Sequence, residues 1–353
     1  MESKSKRLAN IELLRIIAML MVIMLHYLGK GELLPTMNSS MDALGYVAWI
    51  FESLSIVAVN VYVLISGYFM VSGKFRVGKI IELICQVLFY AVGVTILAYS
   101  LGFIERGDIT VSALLQQLFS LHYNQYWFVT AYIVLYMFSP VLAIGIQNMS
   151  KKQLEICILL LLVFNCLVKS ISPISLAFDK KGYDVIWFVC LFMVAGYIRL
   201  YGIKTLEKKR YAIGLYVLGV VFIFLEGFVL GTLYAKTGSL GETIGVSYHY
   251  NHIFCFLASV GLFTFFLQVK IPEGKIATII CKISPYTLGV YLLHEQIYVR
   301  YVWPELLGAK TATNVVTFIV YANKAVFTVF VVGVIVDWLR SLLFRLVKKI
   351  GVN

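Results

Sequence analysis

Charged side chains are scarce in this chain. Asp, Glu, Lys and Arg make up 14% of its 353 residues, against about a quarter in a soluble globular protein. Hydrophobic residues fill 61% of it and the mean hydropathy is +0.88, which excludes a soluble domain and points to a polytopic membrane protein. Proline is scarce as well, with six in all, and no internal repeat is visible. Both absences disfavour a carrier built from inverted repeats with helices broken at midplane. Cysteine is sparse and unpaired in spacing: Cys85, Cys157, Cys166, Cys190, Cys255 and Cys281 form no CxxC. They read as small hydrophobes in or beside apolar runs, not as zinc ligands or disulfides. His249 and His252 form an HxxH with no third ligand in view, so no metal is predicted. Acids are outnumbered by bases, 18 to 30, but the bases fall between apolar segments. They report topology and do not form a nucleic-acid surface.

What is present is a succession of apolar runs. A helix needs about 20 residues to cross the hydrocarbon, and that measure predicts an all-α bundle of about ten transmembrane helices, at roughly 10–29, 46–71, 79–102, 126–146, 154–171, 184–201, 211–230, 250–269, 284–303 and 314–340. The N-terminal KSKR before the first run resembles a signal peptide. Glu12 and Arg15 inside the run, its length and the lack of a small-x-small cleavage site make it a retained first helix instead. No connection is long enough for a soluble domain, so residues 1–353 read as one integral-membrane domain. Basic residues recur in every second connection: Lys4, Lys6 and Arg7; Lys74, Arg76 and Lys79; Lys151 and Lys152; Lys204 to Arg210; Lys270 to Lys282; then Arg345, Lys348 and Lys349. The alternate connections carry scattered Lys30, Arg106, Lys180, Lys181, Lys236 and Lys310. The positive-inside rule then predicts both termini of a multi-pass membrane protein in the cytoplasm.

Arg15 and His26 are the polar exceptions in the first run. They are eleven positions apart, which is three helical turns with about 20° left over and about 16.5 Å of rise. Both heads therefore lie on one stripe of an apolar helix. An arginine there costs roughly 2.5–3.5 kcal/mol even on a lenient insertion scale, so it is expected to face a cavity, a partner or a substrate. Glu12, three residues before Arg15, can pair with it across one turn. Imidazole is the side chain best suited to taking a proton near neutral pH, so His26 is a candidate general base or nucleophile; a lone membrane histidine can also be a bundle hydrogen-bonder.

Other stretches hold further candidates. Asn60, Ser66 and Gly67 interrupt the second apolar run, where Gly67 would admit the backbone of a helix or a ligand. Lys74, Arg76 and Lys79 either fix topology or grip the phosphates of a nucleotide-like donor. Tyr126 and Trp127 open the fourth run as interface anchors do. His294 and Glu295 sit inside the ninth run; as helix neighbours they would not share a face and would serve different partners. Glu52 and Glu226 either orient a hydroxyl substrate or the histidine, or are acids that snorkel toward the outer membrane surface.

Taken together, these residues resemble the acyltransferase-3 family of bacterial integral-membrane O-acyltransferases that modify cell-surface glycans. The carriers are Glu12-x-x-Arg15 and Arg15-x10-His26, Ser66-Gly67 followed by a bulky pair, Trp127-Phe128, and Tyr291-Leu-Leu-His294. The resemblance runs from about residue 10 to 300. It implies transfer of an acyl group, most often acetyl from acetyl-CoA, to a hydroxyl at the outer face of a bacterial plasma membrane, with His26, Arg15 and Glu12 of the first helix as the catalytic residues. The family's basic arginine-x-x-arginine reads Arg76-x-x-Lys79 here, and its usual aspartate reads Glu12. Asn60, Ser66, Trp127, His294 and Glu295 are then expected as substrate or structural support. The implied partners are acyl-CoA, a glycan or glycolipid acceptor and the lipid bilayer, with a homo-oligomer compatible and no nucleic acid. The competing reading is a transporter or flippase for a glycan or small solute; a non-catalytic membrane scaffold is the other.

Overall fold

The computed structural model describes residues 7–102, 110–123, 125–171, 179–239 and 241–350. Lys4, Lys6 and Arg106, and the side chains of Lys348 and Lys349, on which part of the charge pattern rests, lie outside the described residues. Helix α1 (Ala9–Lys30) carries Glu12 in its first turn and Lys30 in its last, both complementing the helix dipole. Helix α2 (Ala43–Ser55) starts at Asp42, whose side chain accepts from the Gly45 N–H at 2.8 Å. Helix α3 (Ala58–Met70) follows after Ile56 and Val57, where the sequence predicted one unbroken helix over 46–71. Ser53 donates its hydroxyl back to the Trp49 carbonyl at 2.7 Å, the kind of local bond that bends a helix and loosens its ladder. The pair still makes one apolar span, Ala43–Met70.

Helix α4 is Val77–Ser100, and α5 is the short Val111–Leu118, capped by Thr110. Helix α6 (Trp127–Asn148) contains Pro140. Proline has no N–H for the Tyr136 carbonyl four residues back; the Ser139 hydroxyl donates to that carbonyl instead, at 2.7 Å. A Ser150–Gln153 capping box starts α7 (Lys151–Leu162), which passes through a π turn at Val163–Leu167 into α8 (Val168–Ile171). Asp184 caps α9 (Val185–Tyr201) by accepting from the Trp187 N–H at 2.8 Å. Helices α10 (Lys209–Thr237), α11 (Ile253–Leu267), α12 (Lys275–Ile283), α13 (Thr287–His294), α14 (Val302–Leu306) and α15 (Val315–Ile350) complete the chain.

Nine helical spans among the described residues are long and apolar enough to cross a membrane. The tenth expected segment is α9, apolar but 17 residues long. One boundary is displaced. The ninth apolar run was expected at 284–303, whereas the span in the fold is Lys275–His294. It begins early because Ile276, Ile279, Ile280 and Ile283 put an apolar stripe along α12, beside Lys275 and Lys282. It ends early because the Gln296 side chain supports a turn: its Oε1 accepts from the Tyr298 N–H at 2.7 Å, and its Nε2 donates to Thr95 Oγ1 on α4 at 3.0 Å.

The chain divides into two compact units. The first contains Met1–Glu32, Val77–Tyr126 and Ile271–Asn353, hence α1, α4, α5 and α12 to α15. Its core polar feature is Asp337 on α15, fully buried, which accepts from Gln86 Nε2 (3.0 Å), Tyr90 OH (2.8 Å) and, bidentately, Arg340 (2.6 and 3.0 Å). Helix α13 lies against this carboxylate at Gly289, where a Cβ would come within 2.2 Å of Asp337 Oδ1. The second unit contains Leu33–Arg76 and Trp127–Lys270. There α3 meets α9 at Gly67, whose added Cβ would sit 3.0 Å from both the Ala195 Cβ and the Phe192 Cα. Gly67 thus admits a helix, one of the two roles its position allowed.

Candidate active site

The first unit brings three titratable side chains to one atom. His26 projects from α1, four residues before its end, and His294 is the last residue of α13. His26 Nδ1 and His294 Nε2 are 2.8 Å apart. His294 Nδ1 lies 2.6 Å from the Val290 carbonyl oxygen, one helical turn back. A carbonyl only accepts, so His294 Nδ1 carries the hydrogen of that bond. In neutral His294 the Nε2 is then a lone pair, and His26 Nδ1 must be the donor to it. That tautomer of His26 leaves its own Nε2 unprotonated. A chain of two hydrogen bonds thereby prepares a base.

Glu295 follows directly. Its Oε1 lies 3.4 Å from the same His26 Nδ1, and its Oε2 lies 3.8 Å from an Arg300 guanidinium nitrogen. The expectation that His294 and Glu295 would serve different neighbours fails because α13 stops at His294. Glu295 is therefore off the helix, at φ −94° and ψ 3°, and both side chains turn to one imidazole. The His26 side chain is 23% exposed while that of Glu295 is 8% exposed, so the base is reachable and the carboxylate behind it is enclosed. Tyr291 and Trp303 ring this group: Tyr291 lies 6.3 Å from the His26 ring and 6.1 Å from that of His294, and Trp303 lies 5.9 Å from His294. Tyr126 donates its hydroxyl to the Leu292 carbonyl at 3.1 Å.

The cytoplasm-directed end predicted for α1 is organised separately. Glu12 Oε2 is 3.9 Å from Arg15 Nε and accepts from the Ser284 hydroxyl. The one-turn pairing is present, and α1 is unbroken from Arg15 to His26, so the stripe keeps its length of about 16.5 Å. Lys74 and Arg76 are exposed at the end of the second unit's first segment, and Lys79 is half-buried in the first turn of α4. In the second unit Asn60 is buried; it donates to the Tyr250 carbonyl (2.7 Å) and accepts from Trp187 Nε1 (2.9 Å). Ser66 is half-buried on α3. Trp127 stacks on Tyr250 with centroids 5.9 Å apart and meets Tyr183 at 4.5 Å, which makes it part of an aromatic cluster and not only an anchor. His252 pairs with Glu226 at 3.3 Å. Among the described residues no group of three His, Cys, Asp or Glu side chains is arranged to hold a metal.

Arg300, Tyr291 as a site-lining ring and Ser284 were not singled out from the sequence. A helix drawn over 284–303 turns Arg300 into a terminal cation; the signal that could have found it is an arginine in an aromatic run, IYVRYVW.

No curated protein and no solved structure matched the chain. A family model described as an acyltransferase domain does match, over residues 8–338. That stretch holds Glu12, Arg15 and His26 of α1, the basic residues before and at the start of α4, and the turn with His294 and Glu295. The protein, nearly the whole length of its chain, thus belongs to the acyltransferase-3 family, as a multi-pass membrane acyltransferase.

Proposed function

We propose that this acyltransferase is an O-acetyltransferase, moving an acetyl group from cytoplasmic acetyl-CoA to a hydroxyl of a cell-surface or lipid-linked glycan, with His26 as the base. The observation that carries the reading is the tautomer imposed on His26 by the Nδ1–His294 contact at 2.8 Å and the His294–Val290 contact at 2.6 Å. The acceptor hydroxyl gives its proton to His26 Nε2 as its oxygen attacks the thioester carbonyl. The tetrahedral adduct collapses with cleavage of the C–S bond, and the departing thiolate takes the proton back from the imidazolium. While the imidazolium exists, Glu295 faces its Nδ1 side at 3.4 Å, and a carboxylate there stabilises that charge. The same lone pair could instead accept the acetyl group and pass it on.

The donor side of the reading rests on charge. Coenzyme A ends in phosphates, and Lys74, Arg76 and Lys79 run into the N-terminus of α4. A helix N-terminus favours an anion, and cations in a first turn are otherwise unfavourable. Lysine at 79 meets a phosphate as a point charge and lacks the fork an arginine would supply. Arg15, held by Glu12, would meet the donor part-way along α1, whose stripe of about 16.5 Å suits the long pantetheine arm. With both termini cytoplasmic, as the loop charges favour, the stripe runs from donor side to acceptor side.

The test is acetyl transfer from radiolabelled acetyl-CoA to membrane glycan in cells carrying wild-type protein or His26→Ala at equal membrane levels. Label is expected in the glycan only with the wild type. Transfer by His26→Ala at the wild-type rate would sink the assignment, and glycan translocation without labelling would favour a flippase.

A further inference from the structure

The first unit contains a groove that the chemistry at His26 leaves unused. It has a volume of about 480 Å³ and lies between the junction of α12 with α13 and the later part of α15, within the range of roughly 300–1,000 Å³ typical of small-molecule sites. Its walls are apolar: Ile283 and Pro285 on one side, Val334 and Ile335 on the other. Two amphipathic rings, Tyr286 and Trp338, and one cation, Lys282, complete it. No acid lines the groove. Asp337, next to Trp338 in sequence, is fully buried and held bidentately by Arg340, so its charge is already met inside the unit. Lys282 and Trp338 are exposed.

Both walls belong to helices long and apolar enough to cross a membrane, Lys275–His294 and Val315–Val347. Ile276 and Ile279, 72% and 54% exposed, continue the stripe of Ile283 along α12, so the groove opens from a face suited to acyl chains. A second cation stands at the same end of α12: Arg7 is exposed and donates from Nη1 to the Cys281 carbonyl at 3.1 Å, which engages one of the five N–H groups of its guanidinium. Tryptophan and tyrosine favour the headgroup level of a bilayer. Lys282 ends the basic connection that loop charge assigns to the cytoplasmic side, and basic pockets between membrane helices on that side suit anionic lipid headgroups. Apolar walls, interfacial rings and an unopposed positive rim together fit a ligand with an acyl chain and a net negative phosphate. A zwitterionic lipid fits the walls equally well, but its own cation meets Lys282 and Arg7 with like charge.

We propose that the groove between the α12–α13 junction and α15 is a binding site for one anionic phospholipid, with an acyl chain along Ile283, Val334 and Ile335 and its phosphate at Lys282. The site is independent of the acetyl-transfer reading, and its occupancy is measurable without turnover. Full-length protein in detergent, washed free of co-purified lipid, is titrated with palmitoyl-oleoyl phosphatidylglycerol or with palmitoyl-oleoyl phosphatidylcholine, which share their acyl chains. Native mass spectrometry counts the bound lipid, and the unfolding temperature reports its effect. Wild-type protein should retain one phosphatidylglycerol at concentrations where phosphatidylcholine is lost, and should unfold at a higher temperature with it. Lys282→Gln, at an exposed position, should lower phosphatidylglycerol retention about fivefold, the loss of one lysine at a charged membrane surface. Lys282→Arg should keep it. Ile335→Trp, which fills the groove from an exposed position, should lower retention of both lipids.

Equal retention of the two lipids by the wild type would mean that the groove holds any bilayer lipid, and overturns the site. So would phosphatidylglycerol retention that Lys282→Gln leaves unchanged. An equal loss in Lys275→Gln, at the opposite end of α12, would assign the preference to general surface charge and overturn it as well. A species of twice the mass that Ile335→Trp splits, with no lipid bound, would make the groove a contact between two copies of the chain instead.

Discussion

His26 donates from Nδ1 to His294 Nε2 across 2.8 Å, and the direction of that bond is set by the Val290 carbonyl behind His294. A base whose tautomer is decided by a second histidine depends on the second histidine for its readiness, not for its basicity alone. His294 is thus a positioning residue.

Removing His294 should lower kcat while leaving donor and acceptor KM near their wild-type values. His294→Ala frees His26 to adopt the other tautomer, and the loss should be about 10- to 100-fold, part of the ~10²–10⁴ that a positioned base contributes. His294→Gln presents an amide oxygen that can accept the Nδ1 hydrogen, and should recover much of the loss. Equal defects in the two variants, or a defect confined to KM, would argue against a tautomer lock.

Glu295→Gln keeps the shape beside Nδ1 and removes the charge at 3.4 Å. A fall in kcat of about tenfold corresponds to losing roughly 1.4 kcal/mol of imidazolium stabilisation. Donor and acceptor KM should stay near wild type, because the charge is needed only while the imidazolium exists. An unchanged kcat would mean that Glu295 acts on Arg300 alone.

Gly289→Ala tests how α13 is seated. Its Cβ would come within 2.2 Å of Asp337 Oδ1, inside a carboxylate group already tied to Gln86, Tyr90 and Arg340. Overpacking of this kind costs about 1–3 kcal/mol or more. Asp337→Ala should cost about 3–5 kcal/mol, because it strands the Arg340 charge. Both are read as a lowered unfolding temperature in detergent, and an unchanged Gly289→Ala would contradict the close approach.

A pH-dependent contribution to stability is expected from Asp179. Burial pushes its carboxyl up, but the hydrogen bond and charge of Lys169, the Lys181 N–H and the Asn251 amide together hold it below the usual carboxylate range. A folded-state value below the unfolded one stabilises the fold above the ordinary aspartate pKa of about 3.9, and that stabilisation disappears as pH falls through the lower value. Asp179→Asn should therefore unfold at a lower temperature than wild type at pH 7, with the gap closing in strong acid. A gap independent of pH would assign the effect to packing.

Much of this protein was legible in its sequence because a membrane penalises polar atoms so heavily. Apolar run length located most of the helices, with the ninth run displaced toward the N-terminus, and the eleven-residue step from Arg15 to His26 placed both on one stripe of a helix that is continuous in the fold. What escaped was decided by tertiary contacts. Hydropathy cannot reveal where Gln296 stops a helix, because the residues after it, IYVRYVW, are as apolar as those before. With that stop misplaced, His294 and Glu295 fall about 100° apart on a helix and do not share a face. The break between α2 and α3 is similarly invisible in composition, since it follows a serine bond back to the Trp49 carbonyl.

The contact between Gly289 and Asp337 also bears on the chemistry five residues away. Helix α13 has only eight residues, and each residue of rotational slip would carry His294 about 100° around the axis, out of line with His26. A helix that short has little area of its own with which to resist rolling. The bare backbone at Gly289, pressed onto an immobilised carboxylate, acts as an indexing notch: it admits one rotational setting of α13, and that setting aims the imidazole at its far end.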